Sequence, residues 1–106
     1  MAIQTCPTAM VEAPADHVWR LLTTPSALQR WSGIKIVKGP ERPLATGDQI
    51  VFRAGLGVLL EARFQVVELE RLRRLALEVH LPFGIVNHEV VVISPVSNGA
   101  CRVTYN

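Results

Sequence analysis

Cysteine is scarce in this chain of 106 residues: Cys6 and Cys101 are the only two, near opposite ends. Two distant cysteines make no disulfide framework, and without a C-x-x-C there is no zinc knuckle or dithiol site. Free thiols packed as small apolar residues are the expectation. The opening Met1-Ala-Ile-Gln-Thr-Cys-Pro7 lacks the basic start and apolar run of a secretory leader. No uncharged stretch is long enough to cross a bilayer as a helix. A reducing, cytoplasmic location follows as the expectation. An excess of one charge is missing as well. The 11 basic and 9 acidic residues are scattered and leave a net charge of +2, which argues against a nucleic-acid or charged-membrane footprint. What is abundant is apolar surface, 49% of residues, in a chain long enough for a single domain over residues 1–106.

Patterning divides the chain into one strand, two helices and six further strands. Ile3 to Glu12 is weakly alternating. Pro14 then presets φ for a first helical turn, and Asp16 suits the helix dipole. Ala15, Val18, Trp19 and Leu22 fall on one helical face, with His17 and Arg20 toward water. Thr24-Pro25 repeats the device, Thr24 as cap and Pro25 as first helical residue, so a second short helix runs to about Trp31 and stops before Gly33. Beyond Gly33 the period is two. Ile34 and Ile36 precede a breaker-rich loop, Lys38 to Pro43, and Ile50, Phe52 and Ala54 share the next strand face. Gly55-Leu56-Gly57 marks a hairpin. Leu60, Ala62, Phe64 and Val66 alternate with polar residues, as do Leu75, Leu77, Val79 and Leu81, the pattern of antiparallel strands with one dry face. Pro82-Phe83-Gly84 turns into a β-branched strand, Val86 to Ile93. Ser97-Asn98-Gly99 turns into the last, with Cys101, Val103 and Tyr105. Glu61 to Glu78 is also rich in helix formers, with Glu70 and Arg74 spaced as a helical ion pair; alternation favours strands.

Few motifs carry chemistry. A strand, not a helix N-terminus, follows Gly55-Leu56-Gly57, which fits a turn better than a phosphate loop. His88-Glu89 has Val92 where a zinc protease needs its second histidine. No serine sits in a nucleophile elbow. His17 and His80 fall on wet faces. His88 opens an apolar strand, on the face of Val90 and Val92, and is expected to point inward. Arg71-Leu-Arg-Arg74 is a basic cluster at a hairpin end, a solvated turn.

Ala13-Pro14-x-x-x-Val18-Trp19, Leu22-Thr-x-Pro25-x-x-Leu28-x-x-Trp31, Gly47-Asp48 before a strand and Asn98-Gly99-x-x-Arg102-Val103-Thr104 together resemble the START-like (SRPBCC) superfamily. That group holds polyketide cyclase/dehydrase-like, lipid-transfer and birch-pollen-allergen-like proteins. The resemblance spans the whole chain and implies an α+β helix-grip fold: a curved antiparallel seven-stranded sheet with two short helices after the first strand. In that fold a long C-terminal helix closes the sheet over an apolar cavity. Here the sequence stops at Tyr105-Asn106, so a C-terminally truncated domain is expected. The uncovered apolar face would need a cover, either more chain or a second copy in a homodimer.

The function implied is binding or carriage of a small hydrophobic ligand, such as a lipid or polyketide, without metal or other cofactor, nucleic-acid partner or membrane span. Strand parity assigns its walls to Trp31, Phe52, Phe64, Leu77, Val79 and Val90, with His88 and Tyr105 as polar anchors. Two alternatives share the scaffold. One is a polyketide cyclase or dehydratase using His88 and Tyr105 for acid–base work. The other is an interaction domain resembling the activator of the ninety-kilodalton heat-shock protein ATPase.

Overall fold

The computed structural model describes residues 8–54 and 60–105. Cys6, residues 3–7 of the expected first strand and the Gly55–Gly57 turn lie outside the described residues. In chain order the elements are β1 (Thr8–Val11), α1 (Ala15–Thr23), α2 (Pro25–Ser32), β2 (Lys35–Lys38), β3 (Gln49–Ala54), β4 (Leu60–Glu70), β5 (Arg74–His80), β6 (Val86–Ser97) and β7 (Ala100–Tyr105). The expected α+β order is found. The segment Glu61 to Glu78 is a hairpin of β4 and β5, with Glu70 facing Arg74 across the strands. All seven strands form one curved antiparallel sheet, ordered β1-β7-β6-β5-β4-β3-β2.

This order makes the helices a bridge. β1 lies at one sheet edge and β2 at the other, so the chain between them must cross one face. Seven strands about 4.8 Å apart spread over roughly 29 Å when flat. Helices of nine and eight residues supply roughly 25 Å at 1.5 Å per residue. Curvature of the sheet makes up the difference.

Local chemistry starts and stops each helix. The Pro14 carbonyl accepts from the His17 and Val18 amides at 3.1 and 3.2 Å. Thr24 separates the helices in an extended conformation, and its carbonyl accepts from the Leu28 amide at 2.8 Å. Thr24 is the N-cap and Pro25 the first helical residue, as expected, but the Thr24 side chain makes no cap hydrogen bond; Pro25 removes one amide that would otherwise need a partner. Gly33, at φ 78°, ends α2 in the left-handed region.

Val18 and Trp19 of α1 are buried against a core of Ile50, Phe64, Val66, Leu75, Val91, Ile93 and Cys101. Cys101 is a free thiol and fully buried. The register sets Ile93 opposite Val103, and Leu75 opposite both Leu69 and Val91. The packed core therefore lies toward the β4–β5 and β6–β7 turns. At the other end, the turn after β5 carries Phe83, exposed and at φ 68°.

The loop between β2 and β3 ties helix to sheet. Its Leu44 is buried, and the Leu44 amide donates to the carbonyl of Thr23 at 2.8 Å. Gly47, at φ 91°, donates its amide to Val66 O at 2.8 Å. Asp48 holds the corner: Arg42 donates two hydrogen bonds to its carboxylate at 2.7 and 3.0 Å, and the Ala45 amide a third at 2.8 Å. The Arg42 guanidinium first, then the Ala45 amide, keeps this carboxyl below its ordinary range.

Two outcomes follow. Ile50 has no exposed surface, so Ile50→Ala should cost about 3 kcal/mol in urea unfolding, whereas Val67→Ala, at a half-exposed position, should stay within about 0.5 kcal/mol. For Asp48, a folded pKa below the ordinary 3.8 means its contribution is complete above that value and is lost as pH falls through the folded pKa. Asp48→Asn should therefore lower the thermal midpoint at pH 7 and narrow the gap between midpoints measured at pH 7 and pH 3; an unchanged gap would show that the corner carries no such linkage.

Candidate ligand-binding site

Beyond the core, the inner face of the sheet and the helices enclose an open cavity of about 370 Å³. Leu22, Leu28, Trp31, Ser32, Ile34 and Leu44 line its helix and loop side. Strand residues Phe52, Phe64, Leu75, Leu77, Val79, Glu89, Val91 and Tyr105 line the sheet side, with Leu81 just past β5. Strand pairing explains the set, because directly paired residues share a face. Leu77 pairs with Val66 and Glu89, Val79 with Phe64, and Val91 with Tyr105. The rings of Phe52 and Phe64 meet at 5.9 Å between centroids, tilted by 52°.

Trp31 stands at the rim. Its ring lines the cavity while the residue is 55% exposed. The indole Nε1 donates to the carbonyl of Leu21 at 2.8 Å. That carbonyl lies in the last turn of α1, where acceptors lack helical partners, so the bond joins the two helices and fixes the ring. Gln29 makes a second tie, its Oε1 accepting from the Ile36 amide at 2.7 Å.

The polar groups of the cavity are few. Tyr105 and Glu89 lie on the same face of neighbouring strands, with Glu89 two residues before the Val91 that pairs with Tyr105. Burial first, then hydrogen bonding to Glu89 and its negative charge, pushes the Tyr105 phenol up to about 12. With its pKa raised this far, the phenol stays protonated at neutral pH and is a hydrogen-bond donor.

Six of the eight sequence-assigned residues meet at this cavity: Trp31, Phe52, Phe64, Leu77, Val79 and Tyr105. His88 and Val90 do not. The expectation that His88 points inward with Val90 and Val92 is corrected by the register, which pairs His88 with Glu78 and Val90 with Ala76 on the outer face. His88 is exposed there. The cause is a bulge between β6 and β7: Ser97 pairs with Ala100, but Pro95 pairs with Cys101, one residue out of step. An unbroken ladder from the same turn would set Val96, Ser94 and Val92 opposite Cys101, Val103 and Tyr105. The extra residue moves the odd-numbered side of β6 inward. Glu89 was missed for this reason, and because a charged residue is ordinarily assigned to water. His80, on the outer face, is half-buried and bonded to Glu78 at 2.7 Å. Among the described residues, no three His, Cys, Asp or Glu side chains gather as a metal site would require, and no helix is long and apolar enough to cross a membrane.

Solved structures share this architecture. Protein Ms6760 from Mycobacterium smegmatis superposes with a TM-score of 0.74 at 18% identity, over 92% of this chain and 66% of its own. CalU16 from Micromonospora echinospora gives 0.66 at 23% identity, over 92% and 56%. DynU16, a protein of the dynemicin biosynthetic locus, gives 0.68 at 19% identity, over 95% and 36%. The fold is helix-grip-like. The chain spans from about a third to about two thirds of the lengths of these three structures. No family model and no curated protein matches it in sequence.

Tyr105 is the only tyrosine, so its ionisation can be followed by ultraviolet absorbance without interference from another phenol. The titration should centre near 12, and Glu89→Gln should bring it down toward the ordinary 10. Because the folded value lies above the unfolded one, the linked stability is present below pH 10 and declines as pH rises toward 12. A midpoint of 10 in the parent protein would contradict the Glu89 contact.

Proposed function

We propose that this chain binds a small hydrophobic molecule, a lipid, polyketide or similar compound, in the cavity between sheet and helices, and carries or presents it. The observation that supports this most is the lining itself: aliphatic and aromatic side chains from both helices and from β3 to β7, interrupted only by Ser32, Glu89 and Tyr105. Binding sites for small apolar ligands combine such walls with a few convergent polar groups. The START-like resemblance and the helix-grip-like fold agree with the reading.

A second reading, a cyclase or dehydratase of polyketide type, draws on Glu89 and Tyr105, which share the cavity face of neighbouring strands, and on the likeness in fold to DynU16 of the dynemicin locus. It can no longer use His88, which lies outside the cavity. Its acid–base group would be Glu89, with Tyr105 as a positioning donor.

We also propose that the open side of the cavity, bordered by Trp31 and Tyr105, is covered by a second copy of the chain. Light scattering behind size exclusion should then return twice the chain mass at micromolar concentration; a monomer would end that part of the proposal.

The neutral dye Nile red should bind the parent protein with a blue-shifted emission. Leu77→Asp, which sets a charge in the wall, should weaken that binding by roughly tenfold or more, while His88→Ala on the outer face should leave it unchanged. Equal losses in both variants would move the site away from this cavity.

A further inference from the structure

Among the described residues, Glu89 is the one carboxylate that lines the cavity, and no arginine, lysine or histidine lines it as well. The ion pairs among the described residues lie elsewhere. Arg53 pairs with Glu61, Arg73 with Glu70, Arg74 with Glu68, and Arg42 with Asp48. Glu89 is half-buried, and the polar side chain nearest to it along the cavity face is that of Tyr105 on the neighbouring strand, a neutral hydroxyl. An ionised carboxylate only accepts hydrogen bonds, at two oxygens with about four lone-pair directions. One neighbouring phenol leaves most of that capacity open.

We infer that the cavity selects apolar molecules carrying a hydrogen-bond donor, a hydroxyl or an amine, which docks on the Glu89 carboxylate, and rejects molecules of the same body that end in a carboxylate. This rests on the cavity being the ligand site proposed above and narrows the class of ligand it takes. The reason is the sign of the charge. A donor head satisfies Glu89 in a partly dehydrated setting, where charge-assisted bonds are strongest. A ligand carboxylate would meet a like charge with no cation to offset it. The apolar body of the bound molecule then packs against Leu77 and Val91, which share the cavity face with Glu89.

Matched ligands of one chain length test this. 1-Decanol, decylamine and decanoate would each compete against Nile red at neutral pH on the parent protein, on Glu89→Gln and on Tyr105→Phe. The alcohol and the amine should displace the dye at concentrations at least about tenfold lower than decanoate. In Glu89→Gln that ratio should fall toward one while Nile red binding persists. Tyr105→Phe should keep the preference, since the carboxylate remains. Decanoate competing as well as decanol in the parent protein overturns the inference, as does a ratio unchanged in Glu89→Gln. Should Glu89→Gln fail to fold, as judged by circular dichroism, the ranking on the parent protein decides. Absence of Nile red binding to the parent protein instead removes the cavity reading itself, and the selectivity with it.

Discussion

Two short helices have to serve one broad sheet, and that mismatch governs the rest of the molecule. α1 and α2 bridge the sheet edges but cover only part of the face they cross. Where α1 lies, Val18 and Trp19 close a dry core with Val66, Leu75 and Ile93. Farther along the same face the wall continues in Leu77, Val79 and Phe52, opposite α2, Leu22 at the end of α1, and the loop residues Ile34 and Leu44. Core and cavity are thus two ends of a single apolar surface, divided by how far a helix reaches. The same hydrophobic alternation that folds the protein also builds its candidate site.

Holding a partly filled face open requires restraints other than packing, and polar ties supply them. The Leu44 amide joins the β2–β3 loop to the end of α1, Asp48 pins that loop against Arg42, and the Gly47 amide reaches Val66 of β4. The Trp31 indole links α2 back to α1, and Gln29 links it to β2. All but the Asp48–Arg42 pair satisfy backbone groups that a helix end or a loop would leave open. Together they fix the angle of α2 over the sheet and hence the width of the cavity. A rigid mouth costs a ligand less ordering on entry than one assembled around it.

Strand identity was legible because alternation is local: Leu60 to Val66 and Leu75 to Leu81 announce their inner faces without reference to neighbours. The helices were legible from their prolines and the spacing of Val18, Trp19 and Leu22. β6 was not, since Val90 to Ile93 is apolar at every position and offers no period to count. Its parity is imposed from outside, by one extra residue near Pro95 in the ladder with β7. Pro95 suits the spot because it has no amide to donate and lies beyond the last β5–β6 pair, Arg74 with Val92. That single bulge moved His88 to the surface and Glu89 into the cavity. The buried Leu44 was hidden differently, as a lone apolar residue just past a run of loop breakers whose destination depends on tertiary contacts.

The two tryptophans of the chain occupy opposite surroundings, Trp19 sealed in the core and Trp31 at the mouth with half its surface in water. Their emissions are therefore separable by colour and by access to an aqueous quencher. Trp19 reports whether the interior is intact, and Trp31 whether the mouth is wet or filled. The protein carries its own pair of optical probes, one for folding and one for occupancy, with no label to disturb either.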